Sequence, residues 1–231
     1  MNIVPTMMQP FLSAPLFAGL DVSTIATILA AGHPLRVQRG TILFTEQTPA
    51  TWIYLVKDGW FRLYKLAANG RQSVVRLAIP PEILGISALF PNAIYTLSAQ
   101  AITSSLVLRW SATVMQTFAQ TYPQLRQNSL QILAKLREDL QQQVLELTTE
   151  SVEQRLAHAL RRLADQYHRV PQADGWITIP IMQRDLADLI GVSHYTISRL
   201  LHQWQQQGLV VFPSAHLLMV DLAAITARFD A

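Results

Sequence analysis

The segment that most constrains the fold is RDLADLIGVSHYTISRLLHQWQQQGLV, residues 184–210. Two stretches with helical apolar spacing, 185–190 and 194–207, flank a tight turn at Gly191-Val192-Ser193. A glycine allows the sharp angle of such a turn. The residues expected on the inner faces and in the corner of this helix pair are Leu186, Ala187, Ile190, Val192, Ile197, Leu200 and Leu201. The segment therefore predicts a helix-turn-helix that ends at Gly208.

The second helix of this pair carries hydrogen-bonding side chains on its outer face. They are Ser193, His194, Tyr195, Thr196, Ser198 and Arg199. A helix in the major groove of DNA presents such groups to base edges, and an arginine can bond both O6 and N7 of a guanine. The pattern favours a DNA-reading helix, followed by strands at 209–212 and 217–220 that form a wing. The alternative is an ordinary helix pair whose polar side chains are only solvated.

Short β-rich runs alternate with turn signals between residues 35 and 110. The pairs Asp58-Gly59 and Asn69-Gly70 supply the positive φ angles that tight hairpins need. Strands this short, at intervals of about ten residues, predict a sandwich, jelly roll or barrel. Ahead of them, residues 21–30 predict a short helix with Asp21 as its N-cap.

A long helix is predicted over residues 123–147. Its apolar residues follow one another at spacings of 3, 4, 4 and 3: Leu133, Leu136, Leu140, Val144 and Leu147. Such a narrow seam packs on another helix, and a second copy of the chain is the favoured partner. The alternative is a helix that lies on the β-rich domain of its own chain.

The remaining segments complete a three-part organisation. Thr148-Thr149-Glu150-Ser151 interrupts the long helix and caps a helix from 152 to about 168, and a polar loop at 171–175 precedes a strand at 176–179. Asp221 is expected to cap a last short helix. We place the domains at 1–122, 123–147 and 148–231.

Several classes of function are excluded or disfavoured by what the 231 residues lack. The chain has no cysteine, which excludes disulfides, thiolate zinc sites and cysteine-held iron–sulfur clusters. No histidine lies between residues 35 and 110, and no phosphate loop or nucleophile elbow is present, so a metal-dependent barrel enzyme is not expected. Without an apolar run of eighteen residues or a basic start to the N-terminus, neither a membrane span nor a signal peptide is expected, and the expected compartment is the cytoplasm.

Two stretches of the chain resemble a known family of regulators. Ile190-Gly191-Val192-Ser193, followed by the run TISRLL at 196–201, is similar to the helix-turn-helix of the cyclic-AMP receptor protein and FNR family. Gly59 and Gly70 resemble the turn glycines of its β-roll, and the run SAQA at 98–101 resembles the FNR-type branch. The resemblance implies an α+β fold: an N-terminal β-roll (a jelly roll like cyclic-nucleotide-binding domains), a long dimerisation helix and a C-terminal winged helix-turn-helix.

The function implied by the resemblance is that of a sequence-specific, DNA-binding transcription regulator that acts as a homodimer. By family analogy alone, it implies an activator that contacts RNA polymerase. Many members carry a glutamate where this chain has Tyr195, so an atypical half-site is expected. Many also carry Thr or Ser where Met182 stands, which leaves phosphate contacts to Gln183 or Arg184.

The family's cyclic-nucleotide pocket is not reproduced in this chain. Its Gly-Glu and Arg-Ser pairs correspond to Gly85-Ile86 and Tyr95-Thr96, and neither Ile86 nor Tyr95 can bind a ribose hydroxyl and a phosphate as those pairs do. Cyclic AMP is therefore not the expected effector. The candidate effector pocket is Gly85, Ile86, Ser87, Tyr95, Thr96 and Leu140, which either line an apolar cavity or pack it shut.

The histidines do not exclude haem as a cofactor, and they do not identify the effector. His33, ahead of the β-rich region, could be an axial haem ligand, as in family members that sense nitric oxide or carbon monoxide, or a plain surface residue. His158 and His168 lie ten residues apart on one helix and make no metal pair, so no metal site is expected. His194 and His202 are expected to face DNA.

Overall fold

The computed structural model describes residue 11 and residues 13–67, 72–166 and 176–229. The predicted turn at Asn69-Gly70, His168 and the predicted loop at 171–175 lie outside these residues. Two compact units make up the chain: the described part of 1–65 and 78–139, and the described part of 66–77 and 140–231. The division falls within a helix at residue 139, and the predicted domain limits stay predictions.

The secondary structure follows the predicted order of short strands, a long helix and a helix-turn-helix. The elements are α1 (Val22–Ala30), β1 (His33–Val37), β2 (Ile42–Phe44), β3 (Trp52–Asp58), β4 (Phe61–Leu66), β5 (Gln72–Ala78), β6 (Ile83–Leu84), β7 (Ser98–Ala101), β8 (Ser105–Ser111), α2 (Ala112–Thr121), α3 (Pro123–Thr149), α4 (Val152–Gln166), β9 (Trp176–Ile179), α5 (Gln183–Leu189), α6 (His194–Gln206), β10 (Val210–Ser214), β11 (Leu217–Asp221) and α7 (Leu222–Phe229). Short 3₁₀ turns cover Pro15–Phe17 and Ile86–Leu89.

Two four-stranded sheets form the β-roll, with strand orders β1-β8-β3-β6 and β2-β7-β4-β5. β8 pairs antiparallel with β1 and β3, and Arg109 stands opposite both His33 and Tyr54. One apolar core contains residues of both sheets, among them Phe44, Ile53 and Phe61. The central strand β3 buries four consecutive residues, 53–56, so side chains on both of its faces are covered.

Caps and buried hydrogen bonds fix the helices of the first unit. Asp21 caps α1 as predicted, because its Oδ1 accepts the Thr24 N–H at 2.8 Å. The fully buried Trp110 donates its Nε1–H to Ile28 O at 2.7 Å, which ties α1 to β8. Asn128 of α3 donates to Leu16 O at 2.9 Å and to Ala18 O at 2.8 Å, which holds the first 3₁₀ turn against that helix.

The second unit surrounds a three-stranded sheet of order β10-β11-β9. Ser151 and Gln154 exchange side-chain and backbone hydrogen bonds in a capping box that starts α4. Asp221 caps α7 as predicted, since its Oδ1 accepts the Ala224 N–H at 3.0 Å. The buried apolar side chains of this unit include Leu156, Leu160, Ile197, Leu201, Trp204, Leu218 and Val220.

The wing differs in detail from its prediction. A four-residue turn was expected at 213–216, whereas β10 continues to Ser214 and pairs it with Leu217. The register shifts between Val211 and Ser214. Pro213 has no N–H to donate, and a bulge lets the strand pass it without losing the pairing that follows. Among the described residues, no helix is long and apolar enough to span a bilayer.

Candidate nucleic-acid interface

The helix-turn-helix is held by its turn. Gly191 has φ +69°, a left-handed conformation that a glycine adopts without strain. The Val192 N–H reaches back to Ala187 O at 2.9 Å, and the Ser193 hydroxyl accepts the Thr196 N–H at 3.1 Å to cap α6. The inner face of α6 is buried as predicted, with Ile197 and Leu201 fully enclosed.

The start of α6 presents the predicted polar side chains to solvent. Tyr195 is 75% exposed, and His194 and Arg199 are exposed too. None of these three side chains hydrogen-bonds or ion-pairs with the described residues, so their donors and acceptors are available to a partner. The hydroxyls of Ser193 and Thr196 lie 2.8 Å apart and bond each other, which makes this pair less available.

The exposed face extends further along α6 than the predicted set. Positions i, i+4, i+7 and i+11 share one side of a helix, and from Tyr195 they give Arg199, His202 and Gln206. All four are exposed, and the His202 and Gln206 side chains bond at 3.1 Å. Gln206 was not predicted, because the predicted set covered only the start of the helix. The same helical spacing identifies it. Ser198 is half-buried at the edge of this face.

Gln183 and Arg184 occupy the first turn of α5. Arg184 is exposed and Gln183 is half-buried. Met182 is the N-cap residue of α5, and its side chain accepts no hydrogen bond from the first backbone N–H groups of that helix. A cationic side chain beside open N–H groups can hold a phosphate.

Two residues of the candidate effector pocket, Ile86 and Tyr95, are buried instead of facing an open cavity. Ile86 is 7% exposed and Tyr95 4% exposed. The Tyr95 hydroxyl accepts the Trp52 N–H and donates to Trp52 O, both at 2.9 Å, and its ring stacks on Phe44 at 4.1 Å. Burial raises the pKa of Tyr95, and it raises the pKa of Tyr54 to about 12. These side chains are packed into the core.

The other four residues of that set differ in their environments. A β-carbon on Gly85, which has φ +72°, would lie 2.7 Å from Trp52 O, so the chain approaches itself closely there. Ser87 is half-buried, and Thr96 and Leu140 are exposed. A surface cleft of about 420 Å³ in the same unit as Tyr95 is lined by other residues, including Thr51, Trp52, Phe90 and Gln116.

His33 is exposed on β1. Nothing in its surroundings tests the haem interpretation, which stays a prediction. On β8, the Arg109 guanidinium opposite it lies 4.5 Å from the centre of the Trp52 ring.

The predicted seam of α3 is open to solvent along its second half. Leu140, Val144 and Leu147 are exposed, while Leu133 and Leu136 are half-buried. Leu133 packs on the core of the first unit. The first half of this helix thus packs on its own unit, and its second half has apolar side chains that are exposed in a single chain. Pairing with a second copy stays a prediction.

Comparison with known proteins identifies both halves of the chain. Residues 34–122 match the cyclic nucleotide-binding domain family, and residues 154–228 match the Crp-like helix-turn-helix domain family. The solved structure of FixK2 from Bradyrhizobium japonicum has the same fold, with a TM-score of 0.74 at 23% identity over 87% of this chain and 98% of that one. The predicted α+β architecture is thereby confirmed.

Curated relatives extend over most of the chain. The transcriptional activator protein FnrA of Stutzerimonas stutzeri is 22% identical over 207 residues, which are 90% of this chain and 84% of the relative. The probable transcriptional regulator flp of Lacticaseibacillus casei is 30% identical over 199 residues, 85% of this chain and 87% of the relative. The chain therefore belongs to the CRP/FNR family, and it is a DNA-binding transcription regulator rather than an enzyme.

Proposed function

We propose that this regulator reads a specific DNA sequence with the exposed face of α6, defined by Tyr195, Arg199, His202 and Gln206. The observation that carries the proposal is the availability of Arg199, which is exposed and unbonded among the described residues. A free guanidinium at this place can bond O6 and N7 of a guanine. Gln183 and Arg184 would contact phosphates and set the position of the helix in the groove.

The regulator acts as a homodimer through the second half of α3. Leu140, Val144 and Leu147 recur at spacings of four and three, which is the pattern of a two-stranded coiled coil. Two recognition helices related by a two-fold axis would meet half-sites about 34 Å apart, one turn of DNA. The operator is therefore expected to be a near-palindrome.

The controlling signal is neither cyclic AMP nor a cysteine-held cluster. Tyr95 and Ile86 fill the positions where a phosphate and a ribose would need a cation and a carboxylate, and both side chains are buried. The relatives named as transcriptional activators favour activation as the output. RNA polymerase is the protein partner that the family resemblance implies.

Selection of bound sequences from a random duplex library tests DNA reading. Wild-type protein should enrich a near-palindromic sequence. Arg199→Ala should lose about 1–3 kcal/mol of discrimination at one base pair of each half-site. Arg228→Ala is the matched control, because it removes the same charge from an exposed position on α7. An unchanged motif for Arg199→Ala would show that α6 does not read the DNA through this residue.

Sedimentation equilibrium tests the dimer. Val144→Asp should yield monomers at micromolar concentration, because a carboxylate would be buried in the seam. Val22→Asp is matched in exposure, at 60% against 61% for Val144, and should stay dimeric. A Val144→Asp protein that remains dimeric would place the interface elsewhere.

Titration calorimetry with cyclic AMP should give no heat of binding. Saturable heat would refute the proposal that cyclic AMP is not the controlling signal.

A further inference from the structure

Three metal-ligating side chains converge where α3 ends and α4 begins, within the second unit. Glu146 lies in the last turn of α3, Glu150 directly follows the end of that helix, and His158 lies on the second turn of α4. One ligand atom from each of the three lies within 4.8 Å of the others. We call these three residues the elbow cluster. None of these three residues belongs to the face of α6 or to the candidate effector residues.

The distances inside the elbow cluster suit a metal ion. His158 Nδ1 and Glu150 Oε2 are 3.0 Å apart. Two ligands bound tetrahedrally to zinc at about 2.0–2.1 Å are separated by about 3.3 Å, so this pair needs almost no movement. The Glu146 oxygen lies within 4.8 Å of both atoms, and its side chain would have to move towards them to bind the same ion.

Burial and charge in the cluster are compatible with entry of a cation. The Glu146 side chain is only 5% exposed, and Arg162 Nη1 donates to its two oxygens at 2.6 and 2.8 Å. A buried carboxylate requires such compensation. A carboxylate has about four lone-pair directions, so Glu146 can keep one bond to Arg162 and still ligate an ion. His158 and Glu150 are 19% and 20% exposed, which leaves the cluster open to solvent on their side.

We propose that the elbow cluster binds a divalent transition-metal ion such as Zn²⁺, with His158 Nδ1, one oxygen of Glu150 and one oxygen of Glu146 as ligands and water in the fourth position. The imidazole nitrogen selects this class of ion over Mg²⁺ and Ca²⁺, which prefer oxygen ligands. The ion would join the end of α3 to α4 and so stiffen the connection ahead of the helix-turn-helix.

Titration of metal-free, full-length protein with Co²⁺ tests the proposal, because tetrahedral Co²⁺ absorbs in the visible range and reports a nitrogen and oxygen ligand set. Wild-type protein should bind one Co²⁺ per chain, and Zn²⁺ should displace it. His158→Gln and Glu150→Gln should each weaken Co²⁺ binding at least tenfold. His216→Gln is the control for loss of an exposed histidine elsewhere and should bind as wild type.

Circular dichroism of each variant separates loss of the site from loss of the fold. Folded His158→Gln protein that keeps the same Co²⁺ spectrum and affinity would overturn the proposal, as would wild-type protein that binds no Co²⁺ at about 1 mM. The readout involves no DNA, so its result is independent of whether α6 reads a sequence.

Discussion

The Cδ2 atom of Leu147 lies 2.9 Å from the position that a β-carbon on Gly191 would occupy. The end of α3 therefore contacts the turn of the helix-turn-helix, and any side chain at 191 would press on it. Leu147 was predicted only as a dimer residue, and at 45% exposure it can serve both contacts. The glycine is needed for its φ of +69°, and the close approach adds a smaller effect, because Leu147 Cδ2 is the end of a flexible side chain that can shift.

Gly191→Ala should destabilise the protein more than Gly208→Ala. Both positions have positive φ, at +69° and +72°, and an alanine there costs about 1–2 kcal/mol. At Gly208 no atom lies within 4 Å of the added carbon, so the difference between the two variants isolates the contact with Leu147. Urea unfolding at fixed protein concentration measures both. Adding Leu147→Ala should recover part of the Gly191→Ala loss, and a strictly additive double variant would contradict the contact.

Asn128→Ala should cost about 2–4 kcal/mol of unfolding free energy, because it leaves the carbonyls of Leu16 and Ala18 without the Asn128 Nδ2 donor. Ser129→Ala is the neighbouring control. Ser129 is fully buried, but among the described residues its hydroxyl bonds only Arg126 O in its own helix, so its loss should cost about 1 kcal/mol or less. Equal losses in thermal or urea unfolding would mean that Asn128 contributes through packing alone.

Tyr195→Glu should change the selected DNA sequence without changing the fold. A carboxylate at this exposed position of the first turn of α6 can accept from a cytosine N4, which a tyrosine cannot do. Selection from a random library should then show cytosine gained at one position of each half-site, with about 1–3 kcal/mol of discrimination. Tyr195→Phe, which keeps the ring, should not gain cytosine. A shared motif for all three proteins would remove Tyr195 from the reading face.

Local patterns were sufficient to predict most of the fold. The caps at Asp21, Ser151 and Asp221 and the turn at Gly191 depend on neighbours within four residues, and the structure has them where the sequence placed them. The pairing of β8 with both β1 and β3 joins residues more than forty positions apart. No local spacing encodes such a partner, so only the family resemblance could supply the sheet arrangement.

The site residues show the same limit. The spacing of α6 identified Tyr195 and Arg199, and the same periodicity would have given Gln206. The elbow cluster was not predicted, because the only partner considered for His158 was a histidine on the same helix. Its carboxylates lie in the last turn of α3 and directly after it, and the turn of the chain before α4 brings them near His158. Whether Ile86 and Tyr95 line a cavity depended on packing against Phe44 and Trp52, which no motif describes.

Asp21→Ala should destabilise the first unit in a pH-dependent way. Hydrogen bonds from the side chains of Ser23 and Thr24 and from the Thr24 N–H hold the pKa of Asp21 well below its usual range. A lowered pKa in the folded state means that the carboxylate contributes stability fully above its unfolded value of about 3.9, and that this contribution falls as the pH drops towards the folded pKa. The gap in unfolding free energy between wild type and Asp21→Ala should therefore be constant from pH 5 to 7 and shrink below about pH 4.

Ser111→Ala provides the uncharged counterpart for this measurement. The Ser111 hydroxyl caps α2 by accepting the Val114 N–H at 3.3 Å, and it has no charge to lose in acid. Its effect in urea unfolding should be the same at pH 3.5 and pH 7. The difference in unfolding free energy between wild type and Asp21→Ala could be equally constant across that range. In that case the hydrogen bonds to Asp21 do not favour its ionised form, and its charge does not contribute to the capping of α1.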